Sequence, residues 1–398
     1  MTQFWIGGYG ADMDGDAGGI GLLEGDEGRE PATLAYRGVV AAAASPSWLA
    51  AHPSLDVVYA ALEGSGTVQA FVRNGESSLA PLGDSVEAGS GVCHVAVSPS
   101  GGYLVASCYG DGRVVRIALD AGGRLGAAST GDAATDPYGT DAGADQPRAI
   151  DFAEVLASLK EPQPEAPRTG LLLFDEALGL NATPDPEPEP EPEPVEVPSR
   201  ASHAHAAAFL PDGRIATTDL GFDLVRIWRA GRSGLVLDHQ VVLPPAVGPR
   251  HMVVHPSGHL HVVTEYSCEV FTLAAGADGR WALAAATTVS PAAQVDVDYP
   301  SELSRSRDGE TLYAGVRGSN TIAALRVRGA GEIVEPFALA ESGVDWPRHH
   351  LVHDGALLVA GQRSDEISVL DLDERTGAPR GIRHRTAAPA PTSILLAR

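Results

Sequence analysis

Residues 93–110 read CHVAVSPSGGYLVASCYG. His94-Val95-Ala96-Val97 and Tyr103-Leu104-Val105-Ala106 are short apolar runs on either side of Ser98-Pro99-Ser100-Gly101, which reads as two strands joined by a tight turn. A third run follows in RVVRI at 113–117, and a weaker fourth in RLGA at 124–127. The phrase recurs as PSWLAAHPSLDVVYAALE, HAHAAAFLPDGRIATTDLG, RHMVVHPSGHLHVVTEYS, SELSRSRDGETLYAGVRG and RHHLVHDGALLVAGQRS. Its turn anchors are Pro53, Pro99, Pro211, Pro256, Arg307 and His353, spaced 46, 112, 45, 51 and 46 residues apart. One long gap aside, the period is that of an array built from a single supersecondary unit.

Three to four short antiparallel strands in each unit, with almost no helical periodicity, describe a β-propeller blade. Helical and leucine-rich solenoids need other periods and patterns. A seventh unit is split between the ends. Phe4-Trp5-Ile6-Gly7-Gly8-Tyr9 begins like a second strand, and Thr392-Ser393-Ile394-Leu395-Leu396 supplies its missing inner strand. The expectation is therefore all-β: one seven-bladed propeller of four-stranded antiparallel blades spanning residues 1–398, closed by strands from both termini so that no sheet edge is left open.

Composition agrees. The chain has 398 residues, 44% of them hydrophobic, enough for a propeller core. Its formal charge of −24 argues against nucleic acid or an anionic membrane as a partner. Three cysteines without CxxC spacing suggest free thiols in a reducing compartment. The start, MTQFWIGGYGADMDGD, lacks the basic and apolar regions of a signal peptide, and no apolar run approaches a membrane span. A cytoplasmic protein is expected.

The 112-residue interval holds about 66 extra residues, an insertion assigned to 128–200 between the third and fourth blades. It ends in alternating Pro and Glu up to Pro194, an extended and self-repelling composition. Upstream, Ile150, Ala153, Val155, Leu156 and Leu159 have amphipathic helical spacing, and Leu171-Leu172-Leu173-Phe174 is a second apolar patch. The plain reading is a disordered insertion. The sharper one is a lid, or a docking segment for a protein partner, entering just before His205.

Propeller geometry points to a site. In each blade the start of the inner strand and the end of the second strand lie on one face. Six residues before each anchor stand Ser47, Cys93, His205, Arg250, Ser301 and Pro347; nine or ten after it stand Glu63, Tyr109, Glu265, Arg317 and Gln362. A structural repeat needs nothing so reactive at these points. His205, Arg250, Glu265 and Arg317 are the catalytic candidates, and Tyr109, Glu63 and Gln362 the substrate-binding ones. His94 and His251, one position further on, read as structural residues at the blade interface. His203 and His205 have the i, i+2 spacing of two metal ligands, but no further ligands accompany them, so neither a metal nor any other cofactor is expected.

These same segments, with IGGYG near the start, GPRH followed by a strand ending in Glu, VRGSNTIAAL and VAGQRSDEISVLDLD, resemble the seven-bladed propeller lactonase family. That family includes propeller-type 6-phosphogluconolactonases and the fungal carboxymuconate-lactonising enzymes. The resemblance implies a metal-independent catalytic cluster formed by His205, the Arg250 of GPRH, Glu265 and Arg317. The strand before Glu265 departs from the family's Asn-Glu ending, with Thr264 in place of Asn and one residue fewer. The implied activity is hydrolysis of a small anionic sugar lactone, 6-phosphogluconolactone foremost, giving 6-phosphogluconate in the oxidative pentose phosphate route. A lactonising cyclase for carboxymuconate-type diacids and a non-catalytic scaffold are the alternatives. The chemistry fits: a neutral His supplies base and then acid near pH 7, arginines hold a carboxylate or phosphate and face an oxyanion, and Glu265 either orients them or is itself the base.

Overall fold

The structure is a computed structural model that describes residues 2–25, 34–139, 200–231 and 234–397. It divides into two compact units, Met1–Gln146 with Arg200–Arg398, and Pro147–Ser199. The second unit lies outside the described residues, and with it the helical pattern around Val155 and Leu156, the Leu171–Phe174 patch and the Pro-Glu tract.

The first unit is a seven-bladed propeller. Taken from the centre outward, the first blade is Pro391–Leu396, Thr2–Gly8, Gly19–Gly25 and Leu34–Ala42, so the C-terminal strand is its inner strand. The inner strands of blades two to seven are Pro46–Ala51, Val92–Val97, Ala204–Phe209, Pro249–Val254, Tyr299–Arg305 and Pro347–His353. Each pairs antiparallel with the strand that follows it in sequence, and each blade is completed by a third strand and an outer fourth, which in the second blade is split into two short pieces, Leu79–Pro81 and Val86–Glu87, both pairing with Thr67–Arg73. The outer strand of the third blade, Leu125–Thr130, runs past Ala128, so residues 128–130 belong to the blade. The one helical element among the described residues is a single turn, Ala11–Met13.

Period-two alternation explains the layering. Second strands such as Val57–Leu62 and Ala356–Gly361 are apolar on both faces because they sit between two neighbouring blades. Outer strands such as Ile333–Glu341 alternate and face solvent on one side. Tyr59 and Val68 of the second blade pack on Leu104 and Ile117 of the third, and Phe4 and Ile394 of the first on Leu358 and Ile367 of the seventh. The turns interlock too. Gly101 needs its φ of 71°, and its carbonyl lies 3.2 Å from Nε2 of His52 in the preceding blade. His255 and Gly309 repeat this contact at 2.8 Å, which accounts for the His-Pro pairs at two anchors.

Every inner strand breaks register against its partner near the same end. The residues passed over are Thr392, Ser47, Cys93, His205 with Ala206, Arg250, Ser301 with Glu302, and Arg348. A β-bulge leaves ladder groups unpaired and re-aims its side chain. Here the previous blade caps the exposed carbonyls. Thr392 Oγ1 donates to Ser47 O at 2.9 Å, Cys93 Sγ to His205 O at 3.4 Å, Arg250 Nη1 to Ser301 O at 2.5 Å and Ser301 Oγ to Pro347 O at 2.6 Å. The ring of bulges stitches the blades together and turns their side chains toward the channel.

Candidate active site

The bulge at Arg250 and the end of the next strand at Glu265 bring the two residues together within the fifth blade, and Arg317 joins them from the sixth. Glu265 Oε2 lies 2.9 Å from Arg250 Nε and 2.8 Å from Arg317 Nη2. Arg317 also donates from Nε to Tyr299 O at 2.9 Å. Burial pushes the Glu265 carboxyl up, but Arg317 and Arg250 outweigh it and hold it below its ordinary range, so it is a carboxylate. Both guanidiniums are nearly buried, and the shared carboxylate offsets their mutual repulsion.

His205 comes from the bulge of the fourth blade. It is buried, and its Nδ1 has no hydrogen-bond partner among the described residues. Burial, then the charges of Arg250 and Arg348, pull its pKa well below the usual value, which keeps the imidazole neutral. It shares with Ser47, Trp48, Glu63, Cys93, Arg250, Arg348 and Thr392 a cavity of about 20 Å³, room for about one water molecule.

Of the substrate-binding candidates, Glu63 lines this cavity and accepts a hydrogen bond from Tyr9 Oη, at 3.2 Å to Oε1 and 3.1 Å to Oε2. Gln362 Oε1 accepts from Arg348 Nη1 at 3.2 Å. Tyr109 stands at the rim, edge-on to His205 with ring centres 6.2 Å apart. His203 does not turn inward beside His205. It stacks on Tyr109 at 4.4 Å, with Nδ1 2.6 Å from Tyr109 O. Tyr109 meets the phenol of Tyr266, the residue after Glu265, across the mouth.

One register assignment is corrected. Counting six residues back from His353 lands on Pro347, but the bulged residue is Arg348. The seventh blade's hairpin is shorter, with His353 pairing directly with Ala356, so a count from the turn slips by one. The signal that finds Arg348 is the triplet Pro-Arg-His at 347–349, repeating 249–251. Tyr9 was also missed. It follows the second strand of the first blade, the rim position that Glu63 and Glu265 fill elsewhere, and the split between termini hid it.

The model of the seven-bladed β-propeller lactonase family matches residues 3–149 and 183–396. The chain belongs to this family. The 6-phosphogluconolactonase of Bacillus subtilis (strain 168) is 22% identical over 99% of this chain and 98% of its own length. An uncharacterized protein of Lactococcus lactis subsp. cremoris (strain MG1363) is 27% identical over 49% of this chain, and the match spans only 59% of that relative. Among solved structures, a periplasmic gluconolactonase of Pseudomonas aeruginosa superposes with a TM-score of 0.77 at 19% identity, covering 100% of this chain and 99% of that one. A putative 6-phosphogluconolactonase of Bacteroides fragilis gives 0.75 at 18% identity, covering 100% and 98%. At these identities the superpositions speak for the fold alone.

In this lactonase-family propeller a further layer lies at the residues after the bulges. Trp48 packs against His94, His251 and His349, with ring centres 4.4, 5.4 and 5.1 Å away. His94 Nδ1 accepts from Ala207 N at 3.3 Å and His349 Nδ1 from Ile394 N at 3.3 Å, each across a blade boundary. His251 Nδ1 lies 3.2 Å from Leu303 O. These histidines do stand at blade interfaces, and they also wall the channel. Burial keeps all three neutral and pushes the nearby Glu302 carboxyl well above its usual range.

Proposed function

We propose that this protein hydrolyses a small anionic sugar lactone, with 6-phosphogluconolactone the leading substrate and 6-phosphogluconate the product. The observation that carries this reading is the neutral imidazole of His205, its Nδ1 without a partner among the described residues, on a one-water cavity beside the guanidinium of Arg250. A water there attacks the lactone carbonyl carbon, and His205 takes its proton. The electron pair of the carbonyl moves to oxygen, and that oxyanion is met by the Arg250–Arg317 pair. When the tetrahedral intermediate collapses, the ring C–O bond breaks and His205 returns the proton to the leaving alkoxide. Glu265 is already claimed by two arginines, which makes it a poor base and a good positioning group. Family membership and the likeness to the Bacillus 6-phosphogluconolactonase support the substrate class.

His203 stacks on Tyr109 instead of turning in beside His205, so the pair offers no two-ligand site, and we propose turnover without a metal. The free, buried state of Cys93, Cys108 and Cys268 supports a reducing, cytoplasmic setting. No helix among the described residues is long and apolar enough to cross a membrane. The test is hydrolysis of freshly made 6-phosphogluconolactone, with and without chelator, after subtracting spontaneous opening. Turnover that survives chelation is expected. A rate no higher than background overturns the lactonase reading, and loss of rate with chelator overturns the metal-free one.

A further inference from the structure

We infer that Arg348, and not Arg250 or Arg317, takes the anionic group of the substrate and so sets preference for a charged over an uncharged lactone. The inference rests on the lactone-hydrolase reading and deepens it.

Arg250, Arg317 and Arg348 reach this end of the channel, and the first two are spoken for. Arg250 and Arg317 share Glu265 Oε2 and are tethered to the carbonyls of Ser301 and Tyr299. Their charges are partly cancelled by Glu265: what remains serves the transient charge of the oxyanion, and less is left for the full standing charge of a phosphate or carboxylate. Arg348 differs on each count. Among the described residues it donates one hydrogen bond, to the neutral amide of Gln362, and no carboxylate pairs with it. Its guanidinium carbon stands 4.9 Å from the centre of the Tyr9 ring, which props the planar group without using its donors. Glu63, the acid that lines the same cavity, is occupied by the Tyr9 hydroxyl. A guanidinium has five N–H donors in a fork that fits carboxylate and phosphate, and most of this one's are uncommitted.

Position agrees with chemistry. Arg348 lines the same small cavity as His205 and Arg250, so a lactone over His205 has Arg348 within the span of one sugar. Burial acts to lower the Arg348 pKa, the Glu63 and Glu265 carboxylates oppose it, and the guanidinium stays charged. In a chain of net charge −24, a locally unspent cation is the feature that admits an anion. Gln362, with its oxygen turned to Arg348, keeps its amide NH₂ as a neutral donor for the same ligand.

The experiment compares kcat/KM for 6-phosphogluconolactone and uncharged glucono-1,5-lactone in the full chain, Arg348→Gln and Arg348→Lys, with calorimetric titration of inorganic phosphate and 6-phosphogluconate into each. Arg348→Gln should lower kcat/KM for the phosphorylated lactone at least ten-fold more than for the uncharged one, through KM, and lose measurable phosphate binding. Arg348→Lys should fall between, since it keeps the charge and loses the fork. It also serves as the test if the glutamine variant does not fold. Equal losses on both lactones, or an unmodified chain with no preference for the charged one, overturn the inference. If the chain hydrolyses neither lactone, the functional reading fails, and binding decides separately. Phosphate binding that depends on Arg348 upholds the anion site, and binding indifferent to it overturns it.

Discussion

Arg317 Nη2 in the sixth blade lies 2.8 Å from Oε2 of Glu265 in the fifth, so the site is held across a blade boundary. Arg250 reaches the same oxygen from Glu265's own blade. Two buried cations around one carboxylate hold only while that carboxylate is charged. Glu265→Gln should therefore cost about 3–5 kcal/mol of stability, the range for breaking a buried ion pair from one side. Urea unfolding measures it, and a loss under about 1 kcal/mol would show that the pair does not tie the blades.

His205→Ala should lower kcat about 10²–10⁴-fold with the fold intact, as expected when a proton-transfer group is removed. The pH profile is more discriminating. Because burial and two arginines hold the imidazole pKa well below 6.5, the acid limb of kcat/KM should lie below that pH. An acid limb at or above pH 6.5 would mean that another group is the base.

Acid should loosen the channel. His94 and His349 are each pulled down to about 3, and His251 also lies well below its usual value. In the unfolded chain these groups gain protons near pH 6.5, while in the folded chain His94 and His349 resist until near pH 3 and His251 resists in the same direction. Their contribution is thus complete above pH 6.5 and is lost as pH falls through that window, by up to about 1.4 kcal/mol per pH unit for each group. Glu302 acts in the opposite sense. Its raised pKa gives stability that is present below about pH 4.5 and lost as pH rises through the folded value. Unfolding curves between pH 8 and 4 should show the histidine trend dominating, and His94→Gln should flatten it. A pH dependence unchanged in that variant would remove His94 from the account.

Replacing residues 140–199 by a short Gly/Ser linker should leave the melting temperature within a few degrees, since closure entropy grows slowly with loop length. Beginning the deletion at residue 131 should do more damage. Buried Arg226 donates to the carbonyls of Asp132 at 2.8 Å and Ala133 at 3.2 Å, and Tyr138 donates to Leu243 O at 2.6 Å. Arg200 also pairs with Asp136 at 3.1 Å. Leaving Arg226 without acceptors costs about 1–3 kcal/mol per lost partner. Equal melting temperatures for the two deletions would contradict this boundary.

Blade number, closure by the two termini and the shared height of His205, Arg250, Glu265 and Arg317 were legible in the chain, because each follows from local rules: strand alternation, turn residues and a constant count from turn to strand end. Arg348 was not, because one shortened hairpin shifted the count while the bulge stayed in place. Tyr9 was hidden because its blade is assembled from segments nearly 400 residues apart. Which arginines share Glu265, and which is left with donors to spare, depends on distances between blades. Those distances exist only once the ring has closed, since register within a hairpin fixes where a side chain starts and the packing of neighbouring blades decides what it meets.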